Sequence, residues 1–221
     1  MVGELPDQQT FHLQETLLRS ISPVFEAALK HEHLGDNEKG VLTFPDDHVD
    51  AWKTLLYWSF KRTLPCEERE AETFSEEEQL VLVRSWILGD KYHIPVFQDT
   101  AMLEILADVQ SHSLKAESVK EIARYTTTDS PLRQLAVRDI VENITYGGQA
   151  FEEFNEAYEA PGFAAETLRA LHESYVDDER EQHGNIGDKD GQNRCDVWVK
   201  YMVGGGPPEH WVYNKKKSRA V

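Results

Sequence analysis

Apolar residues recur three and four apart over most of this chain, the spacing of one helix face. Two short stretches break that rhythm. Thr10-Phe11-His12-Leu13 alternates polar and apolar and reads as a strand. Val41-Leu42-Thr43-Phe44, set between Gly40 and Pro45, reads as a second. A helix is expected over Glu15 to Ser20. Ser22-Pro23 marks another helix start, because the serine oxygen can accept free backbone N–H groups and proline at the first position needs none. Phe25, Ala28 and Leu29 then share a face. Asp47 is the expected cap of the next helix, whose buried stripe would be Val49, Trp52, Leu55, Leu56 and Phe60. Ser75 and Glu78 have capping-box spacing ahead of a helix over about 76 to 92, with Leu80, Val83 and Ile87 inward. Pro95 opens a helix carrying Phe97, Ala101 and Ile105. Ser130-Pro131 opens another, carrying Leu132, Leu135, Ala136, Ile140 and Ile144. A last helix is expected from Gly162 to Tyr175, with Leu168 and Leu171 inward.

Short strand, helices, short strand, then helices alone is not the alternation of a parallel-sheet enzyme. The expected class is α+β. Residues 1–105 would form a small sheet capped by helices, 106–180 a helical extension, and 181–221 a loop-rich tail. Within the tail, Cys195 to Val203 alternates enough to form a strand, which could add to an open sheet edge.

Composition narrows the function classes. In 221 residues there are 40 Asp and Glu against 23 Lys and Arg, a net charge of −17. That charge repels a phosphate backbone and an anionic membrane surface, so neither nucleic acid nor lipid is an expected partner. No apolar run reaches the roughly 20 residues of a membrane helix, and no basic-then-apolar leader opens the chain. Cys66 and Cys195 cannot build a disulfide framework and fit a reducing compartment. The expectation is an intracellular protein, cytoplasmic or nuclear.

Reactive chemistry has few marks. Phosphate-cradling glycine loops, the nucleophile elbow and the zinc helix motif H-E-x-x-H are all missing from the sequence. His31-Glu32-His33 could offer metal ligands, but residues two apart on a helix face different ways. Asp188, Asp190 and Gly191 resemble part of a calcium loop, yet Ile186 and Val197 stand where acids are needed. No metal, cofactor or catalytic residue is expected. The acidic run Glu67, Glu68, Glu70, Glu72, Glu76, Glu77 and Glu78 reads first as a solvated loop and helix start. Lys215, Lys216, Lys217 and Arg219 form the one basic cluster of the sequence and a candidate nuclear import signal.

Three stretches together resemble the BTB/POZ domain in its fungal form. Phe11 to Phe25 is similar to the family's strand-to-helix opening, ending in Ser22-Pro23-Val24-Phe25. Val41 to Asp47, followed by Trp52, Leu55, Leu56, Trp58, Phe60, Leu64 and Pro65, is similar to its strand-plus-helix stretch. Leu88-Gly89-Asp90-Lys91-Tyr92 is similar to its Leu-Ala-Asp-Lys-Tyr segment. Gln14, Arg62 and Gly89 depart from the usual His, Gly and Ala. The family's longer first strand has no counterpart beyond Val2-Gly3. Either Val197 to Val203 covers the exposed edge, or the chain is a shortened form of a longer product.

The resemblance implies binding without catalysis: self-association, or linkage of a target to a cullin-type ubiquitin ligase scaffold. Its hydrophobic-x-Glu contact element would fall at Leu34-Gly35-Asp36. Trp58 is either core or an interface anchor. The leading expectation is a non-enzymatic protein-interaction module. The alternatives are a nuclear regulatory factor and, last, an unrecognised enzyme.

Overall fold

A computed structural model describes residues 1–31, 41–65, 74–110, 112–147, 151–183 and 200–204. Nine α-helices occur among them: α1 (Glu15–Ile21), α2 (Pro23–His31), α3 (Val49–Lys61), α4 (Glu76–Lys91), α5 (Pro95–Val109), α6 (Ala116–Tyr125), α7 (Pro131–Glu142), α8 (Asn155–Tyr158) and α9 (Phe163–His183). A π-helical turn, Asn143–Gly147, and a 3-10 turn, Phe151–Phe154, join α7 to α8.

The helix boundaries follow local chemistry. Ser22 ends α1 through its N–H to the Leu18 carbonyl, and its Oγ accepts from Val24 (3.1 Å) and Phe25 (3.3 Å) to start α2. The same hydroxyl donates to the Tyr92 carbonyl at 2.6 Å, tying this corner to the end of α4. Ser75 and Glu78 complete their capping box at the start of α4. Pro95 and Pro131 stand at the first turns of α5 and α7. Ser130 makes no side-chain cap, so there the proline alone sets the boundary.

Helix α4 is the hub. It packs against α3, α5 and α6; α6 in turn meets α7 and α8, and α7 meets α9. Helix α5 is buried nearly all round, with Phe97, Ala101, Met102 and Ile105 sealed from solvent and Gln98, Asp99, Glu104 and Asp108 buried among them. One apolar cluster runs from Val2 through Trp86 to Phe163 and Tyr201, and α5 carries it without a break across residue 105. Gly89 lets α4 and α5 close up: a Cβ there would lie 2.7 Å from Gln98 Cγ. Arg62 ends α3 at φ 60°, its guanidinium 4.8 Å over the Trp58 ring.

The expected α+β class, a small sheet capped by helices, is overturned. The described residues hold helices and no named strand, which also conflicts with the BTB/POZ form. Two isolated bridges stand in place of the sheet, Val2 with Gln9 and Val2 with Phe44. Thr10 to Leu13 keeps the alternation read from sequence, Phe11 and Leu13 packed inward and His12 exposed, but among the described residues no second strand lies beside it. Alternation fixes which face is buried; a strand also needs a neighbour to pair with.

Other expectations also change. His48, not Asp47, is the N-cap residue of α3. Phe60 and Leu168 point to solvent, at 70% and 56% exposure. Their places in α3 and α9 are taken by Trp58 and by Phe163 with Thr167. Lys200 to Val203 forms a turn rather than the end of a strand.

Candidate functional site

A concavity lies where the N-terminal segment meets α1, α2 and α3. Met1 to Gly3 is laced between its neighbours. Val2 and Gln9 exchange N–H···O bonds of 2.8 Å, Phe44 donates to the Met1 carbonyl at 2.8 Å, and Gly3 donates to the Phe44 carbonyl at 3.0 Å. Beside this lacing opens a groove of about 710 Å³, walled by Phe11, Leu13, Leu18, Leu29, Leu42 and Phe44 and bordered by the polar Thr10, His12, Gln14 and Glu15.

The groove has a stiff floor. Phe44 stacks on Trp52 at 4.9 Å between ring centres, and Phe25 touches Trp52 at 5.4 Å and Tyr92 at 4.6 Å. Beneath these rings the buried Asp47 carboxylate accepts from Trp52 Nε1 (2.8 Å), Tyr92 Oη (2.5 Å) and Lys91 Nζ (2.6 Å). Burial first, and then the Asp47 hydrogen bond, push the Tyr92 hydroxyl far above its ordinary range, so it stays a donor. Asp47 thus serves the floor of the groove rather than a helix start.

One edge of the groove is unpaired. Among the described residues, the backbone N–H groups of Phe11, His12 and Leu13 donate to nothing. Their side chains nonetheless alternate in and out. An exposed run of free donors and acceptors beside an apolar channel is what a partner segment needs to add as a strand.

A second, polar cavity of about 690 Å³ is lined by His112, Lys115, Asp139, Glu142, Asn143 and Tyr146. Two buried carboxylates back it. Asp139 accepts the Leu114 N–H at 2.9 Å. Asp108 accepts from Gln79 Nε2 at 2.8 Å, while Gln79 Oε1 accepts the Lys115 N–H at 2.7 Å. Burial pushes Asp139 up to about 6 against the lowering effect of the Leu114 bond, with the Glu142 and Asp108 charges adding to the rise. His112 Nδ1 stands 3.6 Å from Asp108 Oδ1, beyond a hydrogen bond. Such a carboxyl can exchange a proton near neutral pH. Its oxygen is spent, however, on holding the α5–α6 connection. No group of three or more His, Cys, Asp or Glu able to hold a metal ion occurs among the described residues.

The residues singled out from sequence fall in three places. Trp58 is in the core, 3% exposed, its Nε1 donating to Thr100 Oγ1 at 3.2 Å; it is no surface anchor. His31 closes α2. Glu76, Glu77 and Glu78 open α4, where Glu78 completes the capping box. Leu34, Gly35 and Asp36, Lys215, Lys216, Lys217 and Arg219 all lie outside the described residues, as do Glu32 and His33, Cys66 with Glu67 to Glu72, and Asp188 to Cys195. Sequence reasoning missed the groove and both buried carboxylates. The signal for Asp139 was present: it continues the stripe Leu132, Leu135, Ala136 one turn on, as Asp108 continues Ala101 and Ile105. No helix among the described residues is long and apolar enough to cross a membrane.

Comparison with protein-family models, with curated proteins and with solved structures finds no match to this chain.

Proposed function

We propose that this protein works as a non-catalytic interaction module. In this reading, an extended segment of another protein lies in the groove and pairs with the backbone of Phe11 to Leu13. The observation that carries the reading is that, among the described residues, the N–H groups of Phe11, His12 and Leu13 have no partner and lie along an apolar channel with an aromatic floor. Main-chain pairing would supply affinity, and alternate side chains entering the channel would supply specificity. The net charge of −17 favours Lys or Arg at the outward positions of the partner. Without the sheet-bearing fold, the version in which the partner is a cullin-type scaffold has no support of its own.

The test is selection from a random library of linear peptides displayed on phage, using the full chain as bait. Enriched peptides should carry apolar residues at alternate positions with basic residues between. They should lose binding to Leu13→Arg and to Leu42→Arg, two half-buried wall positions whose variants are first shown to keep the wild-type helical circular dichroism. No enrichment, or binders indifferent to both variants, would contradict the reading.

A further inference from the structure

Residues 200–204 carry a separate piece of recognition. Tyr201 is 3% exposed and inserts into the core cluster, with Met202 packed beside it. Its hydroxyl end faces Arg138 of α7, and Lys200 Nζ covers its ring at 4.8 Å. Two residues on, the chain meets Asp99 on the second turn of α5. Asp99 is itself only 4% exposed. Its Oδ1 accepts the Val203 N–H at 2.6 Å and its Oδ2 the Gly204 N–H at 2.9 Å. One buried carboxylate thus reads two successive amides of a segment more than a hundred residues away. At Gly204 a side chain would be crowded: a Cβ would lie 2.9 Å from Asp99 Oδ2, 3.1 Å from the Pro95 carbonyl carbon and 3.2 Å from its oxygen.

These features select a sequence. An aromatic residue fills the socket, glycine fits the third position on without moving its neighbours, and neither of the last two can be proline, since each must donate its N–H. A carboxylate accepting main-chain amides makes the strong, charge-assisted kind of hydrogen bond. The contacts have the form of a peptide on a receptor: side-chain socket, backbone clamp and a narrow gap that favours glycine.

We propose that the surface formed by Asp99, Pro95 and the Tyr201 socket is a peptide-binding site for Tyr-x-x-Gly segments, filled in this chain by its own Tyr201 to Gly204. Releasing that segment opens a second binding site on the helical body, independent of the groove.

The experiment weakens the resident segment and offers it back from solution. The full chain carrying Tyr201→Ala and Gly204→Ala is titrated with the acetylated, amidated pentapeptide Lys-Tyr-Met-Val-Gly, followed by amide chemical shifts. The expected result is saturable binding that shifts Asp99 and its neighbours on α5. It should weaken about tenfold when Asp99→Asn is added, as loss of one charged hydrogen bond implies. It should vanish for a peptide with alanine in place of tyrosine. A folded variant that ignores the pentapeptide at millimolar concentration overturns the proposal, as does binding unaffected by Asp99→Asn. If the double variant does not fold, amide exchange in the wild-type chain decides. A separable ligand requires Val203 and Gly204 to exchange by local opening, faster than the core amides of α5. Exchange only with global unfolding would make the segment plain core and end the idea.

Discussion

The N-terminal arm and the helical body satisfy their backbone polar groups in opposite ways. From α3 to α7, each helix closes most of its own hydrogen bonds, and the neighbouring helices supply apolar cover. Residues 1 to 14 and 41 to 48 have no such autonomy. Among the described residues, scattered backbone bonds among Met1, Val2, Gly3, Gln9, Phe44 and Asp47, the Met1 amino group on the Leu42 carbonyl and the bonds to the Asp47 carboxylate tie them down, while the N–H groups of Phe11 to Leu13 are left over. Among the described residues, the helices of the body pair their backbone groups internally, whereas the arm has pairing capacity to spare. That contrast places the binding proposal on the arm.

The largest effect should come from breaking the body. Trp86→Ala removes one of its largest sealed side chains, and about 3–5 kcal/mol of stability should go with it, read as a lower midpoint in urea. Next is Arg133. It is buried, donates to the carbonyls of Ala123, Thr126 and Pro161, and pairs with Glu166 at 2.7 Å. Arg133→Ala should cost about 3–5 kcal/mol, because it strands a half-buried carboxylate and three carbonyls. A second change, Glu166→Gln, should recover part of that loss.

Asp139 sharpens the comparison through pH. Its carboxyl titrates at about 6 in the fold against 3.8 in a free chain, so the folded state holds the proton more tightly. The stability this confers is full below about pH 4 and is lost as pH rises through about 6. The difference is on the order of 2–3 kcal/mol. Asp139→Asn should flatten urea midpoints across that window; an unchanged slope would remove the assignment. The smallest effect belongs to the arm. Phe11→Ala trims a half-buried ring at the edge of the groove and should cost only about 1 kcal/mol. Equality with Trp86→Ala would erase the distinction between the two regions.

What the sequence disclosed follows the same line. Ser22-Pro23, Ser75 with Glu78, Pro95 and Ser130-Pro131 placed four helix starts, because capping acts within a few residues. The strands at Thr10 and Val41 failed because pairing depends on a neighbour that no local pattern reveals. Asp47 was misread for a similar reason. Its hydrogen-bond partners Lys91 and Tyr92 lie 44 and 45 residues away, and nothing beside it marks them. Asp99 shows the extreme, meeting amides 104 and 105 residues later. Phe60 and Leu168 fit an inward stripe by spacing alone. Trp58 and Phe163 fill the core instead, which shows that spacing gives a face but not which of two adjacent faces is chosen.

The groove reading meets its most direct test in amide hydrogen exchange at Phe11, His12 and Leu13, measured with and without a peptide that binds the chain. These amides should exchange freely in the unbound protein, and those on the edge that pairs, either Phe11 and Leu13 or His12, should become strongly protected in the complex, while α5 stays unchanged. A bound peptide that leaves all three exchanging at their original rate would show that the arm is not the surface that binds.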